Sequence, residues 1–436
     1  MRAPSYTSLD DALETLSGYG TALKNGNSNH APMVAEALCA MGRPDAVMPW
    51  IARYRHRMLP RLPARDRISG EDWRSALGER SRFTDWAVFF GEELQEAAWS
   101  EVLDRWVARL APGFCAAATH GVIRVGHAVR GLAAGATACR VRELADALAS
   151  WAVTYQELPA SRDVANGTMT PREAIVRIPV IPPAKRRDLG NITASLAMLD
   201  DFPEFGPVIG LIDVDRDIGS LLSELTEVFA QVHVANAHNL LTTIVFIHGV
   251  TSLAALGSII PEVSDRTARA GLRYAWQSGC GLFACFGSNT AVAQDIETRE
   301  HDEDDLVDRP LANGDEHVIK FTEACLRAEC PRSIAGLFCR CRQHSRDRAA
   351  PLTECRAARV KLAHGYLVLG GSDKSTLQKT RARAAAFSRR CRSRSTAYSS
   401  SAARSALLTE AWVGTTQAVG QRVTPLVRMY SAMTAS

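Results

Sequence analysis

Histidine is the residue whose placement in this 436-residue chain promises the most chemistry. Nine of its eleven histidines precede residue 330 (His30, His56, His120, His127, His233, His238, His248, His301 and His317), and several interrupt text that is otherwise apolar. His30 stands in SNHAPM, at an expected helix start. His120 and His127 stand seven apart in THGVIRVGHAVR, which puts them on one helical face two turns apart. His248 falls midway along an uncharged apolar run, and His317 in GDEHVIKFTEA has Lys320 three residues on, on the same face. Imidazoles dispersed over several helices of a bundle can build a metal centre in its core. Neutral imidazole suits iron, copper, zinc or nickel. Taken singly, each such side chain is more often a hydrogen-bonded core or cap histidine than a ligand. A Lys320 buried beside His317 would be pushed toward the neutral amine, because its ammonium is costly to desolvate. A neutral amine can take up carbon dioxide as a carbamate, an anionic oxygen ligand; a solvated Lys320, or one paired with Glu316 or Glu323, is the simpler case.

Three further patterns offer less. HDEDDLVD at 301–308 contains a DDxxD pattern at Asp304, Asp305 and Asp308, which in an all-helical protein could hold magnesium for a diphosphate substrate, as in terpene cyclases. No second magnesium motif accompanies it, so a solvated acidic loop is the expectation. GCGLFA at 279–284 matches GxGxxA but follows helical rather than strand-like text, so the dinucleotide fingerprint lacks its context. Six of the eight tryptophans fall within the first 151 residues, at Trp50, Trp73, Trp86, Trp99, Trp106 and Trp151. Core packing explains them more readily than a flat cavity for a polycyclic ligand does.

The elements that must hold these residues read as helices. Apolar residues recur at three- and four-residue spacing over 33–41, 46–58, 86–110, 113–132, 140–155, 221–234 and 239–260. The best strand candidate is AIVRIPVI at 174–181, and one short run does not make a sheet. The expected fold is all-α: a large multi-helix bundle over 1–330 with a buried, histidine-lined cavity for metal and substrate. Residues 240–260 carry no Asp, Glu, Lys or Arg and are long enough to span a bilayer. Interspersed Thr, Ser and His, with no positive flank, favour a helix buried all round in a bundle, and no membrane partner is expected.

Charge divides the chain. Residues 331–436 hold sixteen Arg and three Lys against four acidic residues, whereas 1–330 carry a net charge of −11. No nucleic-acid partner is therefore expected for the folded part. The Arg/Ala/Ser-rich tail has three readings: a basic disordered tail, a poorly patterned helical layer, or, the favoured one, a reading-frame change near residue 328. The opening MRAPSYTSLDDALETLSGYG lacks an apolar signal core, and the eleven cysteines lack paired zinc-type spacing, so the expectation is reduced thiols in the cytoplasm.

Several blocks together resemble the questin oxidase family over about residues 20–327: NHAPM at 29–33, DWxxFF at 85–90, PGFCAAATHGVIRVGHAVR at 112–130, ELADALASWAVTYQELP at 143–159, FIHGVTS at 246–252 and GDEHVIKFTEACL at 314–326. The resemblance implies a helical oxidoreductase that opens an anthraquinone-type polyketide ring with O2. The reaction is either a Baeyer–Villiger-type oxygen insertion using NADPH or a dioxygenase cleavage. It further implies one non-haem Fe(II) held by His30, His120, His248, His317 and the carbamate of Lys320. His127 stands ~10.5 Å of helix rise from His120, so it is assigned either to the contacts behind the metal ligands or to the substrate pocket, although either of the pair could be the ligand. Arg124 is assigned to stabilising a phenolate or peroxide, with a structural salt bridge as the equal alternative. Two other functions stay open: a non-catalytic helical binder of a small aromatic, and a magnesium-dependent diphosphate lyase using Asp304, Asp305 and Asp308.

Overall fold

The computed structural model describes residues 3–161, 165–187, 189–288, 291–292 and 303–327. The tail from 331 and His301 lie outside these residues, as do the side chains of Asp304 and Asp305.

The described residues form an all-α protein. In chain order the helices are α1 (Leu9–Leu16), α2 (Ala31–Ala40), α3 (Val47–Tyr54), α4 (Phe83–Glu96), α5 (Trp99–Leu110), α6 (His120–Ala133) and α7 (Ala138–Val153). Then follow α8 (Pro171–Ile175), α9 (Ile192–Leu196), α10 (Ile218–Asn236), α11 (Leu240–Ile259), α12 (Asp265–Phe286), α13 (Glu303–Asn313) and α14 (Glu316–Arg327). A two-stranded antiparallel sheet, β1 (Tyr19–Leu23) with β2 (Met58–Pro60), sits beside them. The four longest described helices, α7, α10, α11 and α12, start where side chains satisfy orphan amides of the first turn. Thr137 caps α7, Asp217 caps α10, Ser264 caps α12, and Asn239 forms a capping box with Thr242 at α11.

α11 is the centre of the bundle and packs on α6, α10, α12 and α14. It is apolar enough by length and composition to cross a membrane, yet 72% of its apolar window is buried within the protein. Its closest neighbour is α6. A Cβ placed on Gly126 would lie 2.6 Å from the Ala255 backbone, so glycine is what lets the two helices touch. The tryptophans serve packing: Trp73, Trp86, Phe89, Phe90 and Trp106 form one aromatic cluster, with Trp86 and Trp106 rings 5.7 Å apart.

Two local expectations fail for identifiable reasons. Residues 174–181 form no strand. A capping box between Thr170 and Glu173 starts α8 instead, and Pro179, Pro182 and Pro183 then deny a sheet its donors. The helix expected from 113 begins only at His120, because the backbone turns left-handed just before it. The GxGxxA pattern lies inside α12, far from any strand-to-helix turn.

Candidate metal centre

The turn into α6 is strained. Ala117, Ala118 and Thr119 have φ of 48°, 57° and 68°, three successive non-glycine residues in the left-handed region, each costing about 1–2 kcal/mol. Strain of this kind persists where surrounding structure over-determines it, characteristically at functional sites. Here the turn aims the Ala117 carbonyl at the first residue of the helix: His120 Nδ1 lies 2.6 Å from that oxygen. Thr119 Oγ1 reaches the His248 carbonyl on α11 at 3.4 Å, tying the turn to the neighbouring helix.

Four histidines from four parts of the chain meet at this point. His30 precedes α2, His120 opens α6, His248 lies midway along α11 and His317 lies in the first turn of α14. The His30 ring centroid is 4.5 Å from that of His120 and 4.6 Å from that of His317; His120 and His248 are 4.7 Å apart. One ring nitrogen from each of His30, His120 and His317 lies within 4.8 Å of the others. His30, His120 and His248 are buried and His317 is nearly so.

Hydrogen bonds settle two of the tautomers. A carbonyl oxygen only accepts, so the 2.6 Å contacts of His120 Nδ1 with Ala117 and of His248 Nδ1 with Ile244 place a proton on each Nδ1. Each Nε2 is then a bare lone pair, and the two Nε2 atoms face one another at 3.4 Å. Burial, with the neighbouring His and Lys charges, pushes all three buried imidazoles well below the ordinary histidine range, which disfavours a bridging proton. The separation is roughly that of two nitrogens sharing one metal ion at ~2.1 Å. His30 Nδ1 is buried without a hydrogen-bond partner. Opposed lone pairs and an unpartnered buried nitrogen are what a metal would resolve, and the donor set fits an imidazole-binding transition metal. The carbonyl bonds on Nδ1 are the outer contacts such ligands use to fix ring orientation.

Lys320 is buried within the same group, on α14 one turn beyond His317, with Nζ 4.0 Å from Met33 Sδ. Burial pushes its amine down to about 7, with Glu316 pulling weakly the other way. Burial, then the Lys320 charge, pushes His317 down to about 4. Glu316 is engaged elsewhere: Arg57 donates to both of its carboxylate oxygens at 2.9 and 3.1 Å.

The other residues singled out in the sequence lie apart. Arg124 forms a buried two-pronged ion pair with Glu143, at 2.7 and 2.9 Å, the salt-bridge alternative to its stabilising role. His127 Nδ1 lies 2.6 Å from Glu36 Oε2, within a buried cluster in which Arg130 also binds Glu36 and Glu323, and Tyr6 donates to Glu36. Asp308 pairs with Arg43 at 2.9 Å. His56 bonds the Arg53 carbonyl, and the His233 ring lies against Phe321.

A cleft of about 620 Å³ leads from the surface to the histidines. Ala117, Ala118, Ile244 and Leu241 supply apolar wall, and His30, His120, His248 and His317 line its depth. Neither Arg124 nor His127 is among the described lining residues. Sequence reasoning missed the strained turn, which lies in the helix-favouring text AAAT, and the Glu36 cluster, whose signal is a lone acid in the apolar run APMVAEALCA.

Residues 27–199 match the family described as Questin oxidase-like. The resemblance read from the sequence therefore stands for that segment, which carries His30, His120 and the strained turn; His248, His317 and Lys320 lie beyond it. No curated protein matches the chain.

Proposed function

We propose that the chain is a non-haem-iron oxygenase that opens or inserts oxygen into a polycyclic aromatic of anthraquinone type. The observation that carries the reading is the pair of bare Nε2 atoms of His120 and His248, opposed at 3.4 Å in the lining of a cleft whose volume, about 620 Å³, lies in the range of small-molecule sites. His30, His120, His248 and His317 would hold the iron, with Lys320 as the anionic member of the set. When bound, ferrous iron supplies the one-electron chemistry that lets dioxygen react with a closed-shell aromatic.

The residues themselves have definable tasks. The Ala117 and Ile244 carbonyls hold His120 and His248 in the tautomer that leaves Nε2 free. Lys320, pushed down to about 7, presents a neutral amine near neutral pH. Its Nζ adds to the carbon of CO2, forming an N–C bond and releasing one proton to solvent, which leaves a carbamate with one negative charge. The apolar side chains of Ala117, Ala118, Ile244 and Leu241 offer apolar contact to one face of a bound ring.

Elemental analysis of the purified full chain, with oxygen uptake on hydroxylated anthraquinones, tests the proposal. Near-stoichiometric iron and substrate-dependent uptake are expected. No iron after anaerobic reconstitution would instead make the protein a ligand binder of the same fold.

A further inference from the structure

The cleft is not electrically neutral. Among the described residues, two charged side chains line it, Arg80 and Glu316. Glu316 is compensated by the paired Arg57 guanidinium. Arg80, which opens a 3₁₀ turn at Arg80–Arg82, is exposed and has no carboxylate within ion-pairing distance among the described residues. Its neighbour Arg82 differs, being bound to Asp85 at 2.9 Å. Among its described residues the cleft therefore keeps one uncompensated cation, whose planar fork of donors suits a carboxylate or phenolate oxygen. Leu241, an exposed apolar side chain at 53%, stands in the same lining. An exposed large apolar residue and an unpaired guanidinium in one cleft make an amphipathic lining, with apolar contact for a ring and donors for an anion.

We infer that the cleft selects an anionic aromatic, and that Arg80 is the specificity residue that binds its carboxylate or ionised phenol. The inference takes its site from the proposed function, but its test needs neither turnover nor iron. Isothermal calorimetry on the full chain compares anthraquinone-2-carboxylate with its methyl ester, in wild type, Arg80→Gln and Arg80→Lys. Wild type should prefer the carboxylate by about five- to tenfold, an exposed charge-assisted bond being weaker than a buried one. Arg80→Gln should reduce that preference to within about twofold, and Arg80→Lys should keep part of it because the charge remains.

A second arm titrates 2-hydroxyanthraquinone across the ionisation of its phenol. Tighter binding of the phenolate that Arg80→Gln abolishes would assign the anion as phenolate. A wild type that favours neither anion over its neutral form overturns the inference, and so does a preference that survives in Arg80→Gln. Because every comparison is a ratio within one protein preparation, loss of iron or of oxygenase activity leaves the result readable.

Discussion

Helices α6 and α14, and α2 together with the His30 that precedes it, contribute to two polar clusters, and the two are built on opposite principles. In the first, His127, Arg130, Glu36, Glu323 and Tyr6 satisfy one another, with each carboxylate facing a guanidinium. In the second, His30, His120, His248 and His317 crowd together with lone pairs opposed and one nitrogen unpartnered. Fully paired buried charge rigidifies a core, whereas donors left facing each other are costly unless something is bound between them. His120 and His127 lie two turns apart on one helix, and their partners alone distinguish them. The first cluster fastens three helices; the second is what the fastening holds in register.

The contrast can be broken by substitution. The largest effect is expected in the histidine cluster. His248→Ala should lose the metal and lower activity by at least the 10–100-fold that even outer contacts of a metal site command, measured by elemental analysis and oxygen uptake. The metal-free forms should behave differently: His248→Leu, close in volume, should melt no lower than metal-free wild type by calorimetry, since it removes an opposed lone pair. Lys320→Ala should be inactive and partly rescued by added acetate; full activity without additive would remove the carbamate from the account.

Next comes the paired cluster. Arg130→Ala leaves Glu36 and Glu323 buried without their main counter-ion, a loss of about 3–5 kcal/mol, read as a fall of ~4–7 °C in the unfolding midpoint. The smallest effect is on pH dependence. Burial alone would raise the Glu36 carboxyl, but Arg130 and its hydrogen bonds outweigh burial and hold it well below the ordinary carboxylate range. A group depressed in the folded state gives stability that is present above its unfolded value, ~4.3, and lost as pH falls below it. Melting at pH 7 and pH 4 should therefore show a steeper acid loss in wild type than in Glu36→Gln.

How much of this was legible beforehand depends on the range of the interaction. The helices of the bundle follow from apolar periodicity, and the four histidines with Lys320 stand out because each is a polar residue in apolar text. The left-handed turn is not legible, since Ala117 and Ala118 have the strongest local preference for the opposite conformation and tertiary contacts override it. Arg124 could not be resolved between two roles because its partner, Glu143, is nineteen residues away on another helix. At 174–181 the apolar run suggests a strand, but Pro179 within it, Pro182 and Pro183 just beyond it, and the capping box of Thr170 with Glu173 outweigh that pattern.

X-ray absorption at the iron edge of the reconstituted full chain tests the central claim most directly, because it sees the donors themselves. The account predicts a nitrogen- and oxygen-only shell near ~2.1 Å with the outer scattering of several imidazoles, diminished in His248→Ala. A shell without imidazole, or one unchanged when His248 is removed, would contradict it.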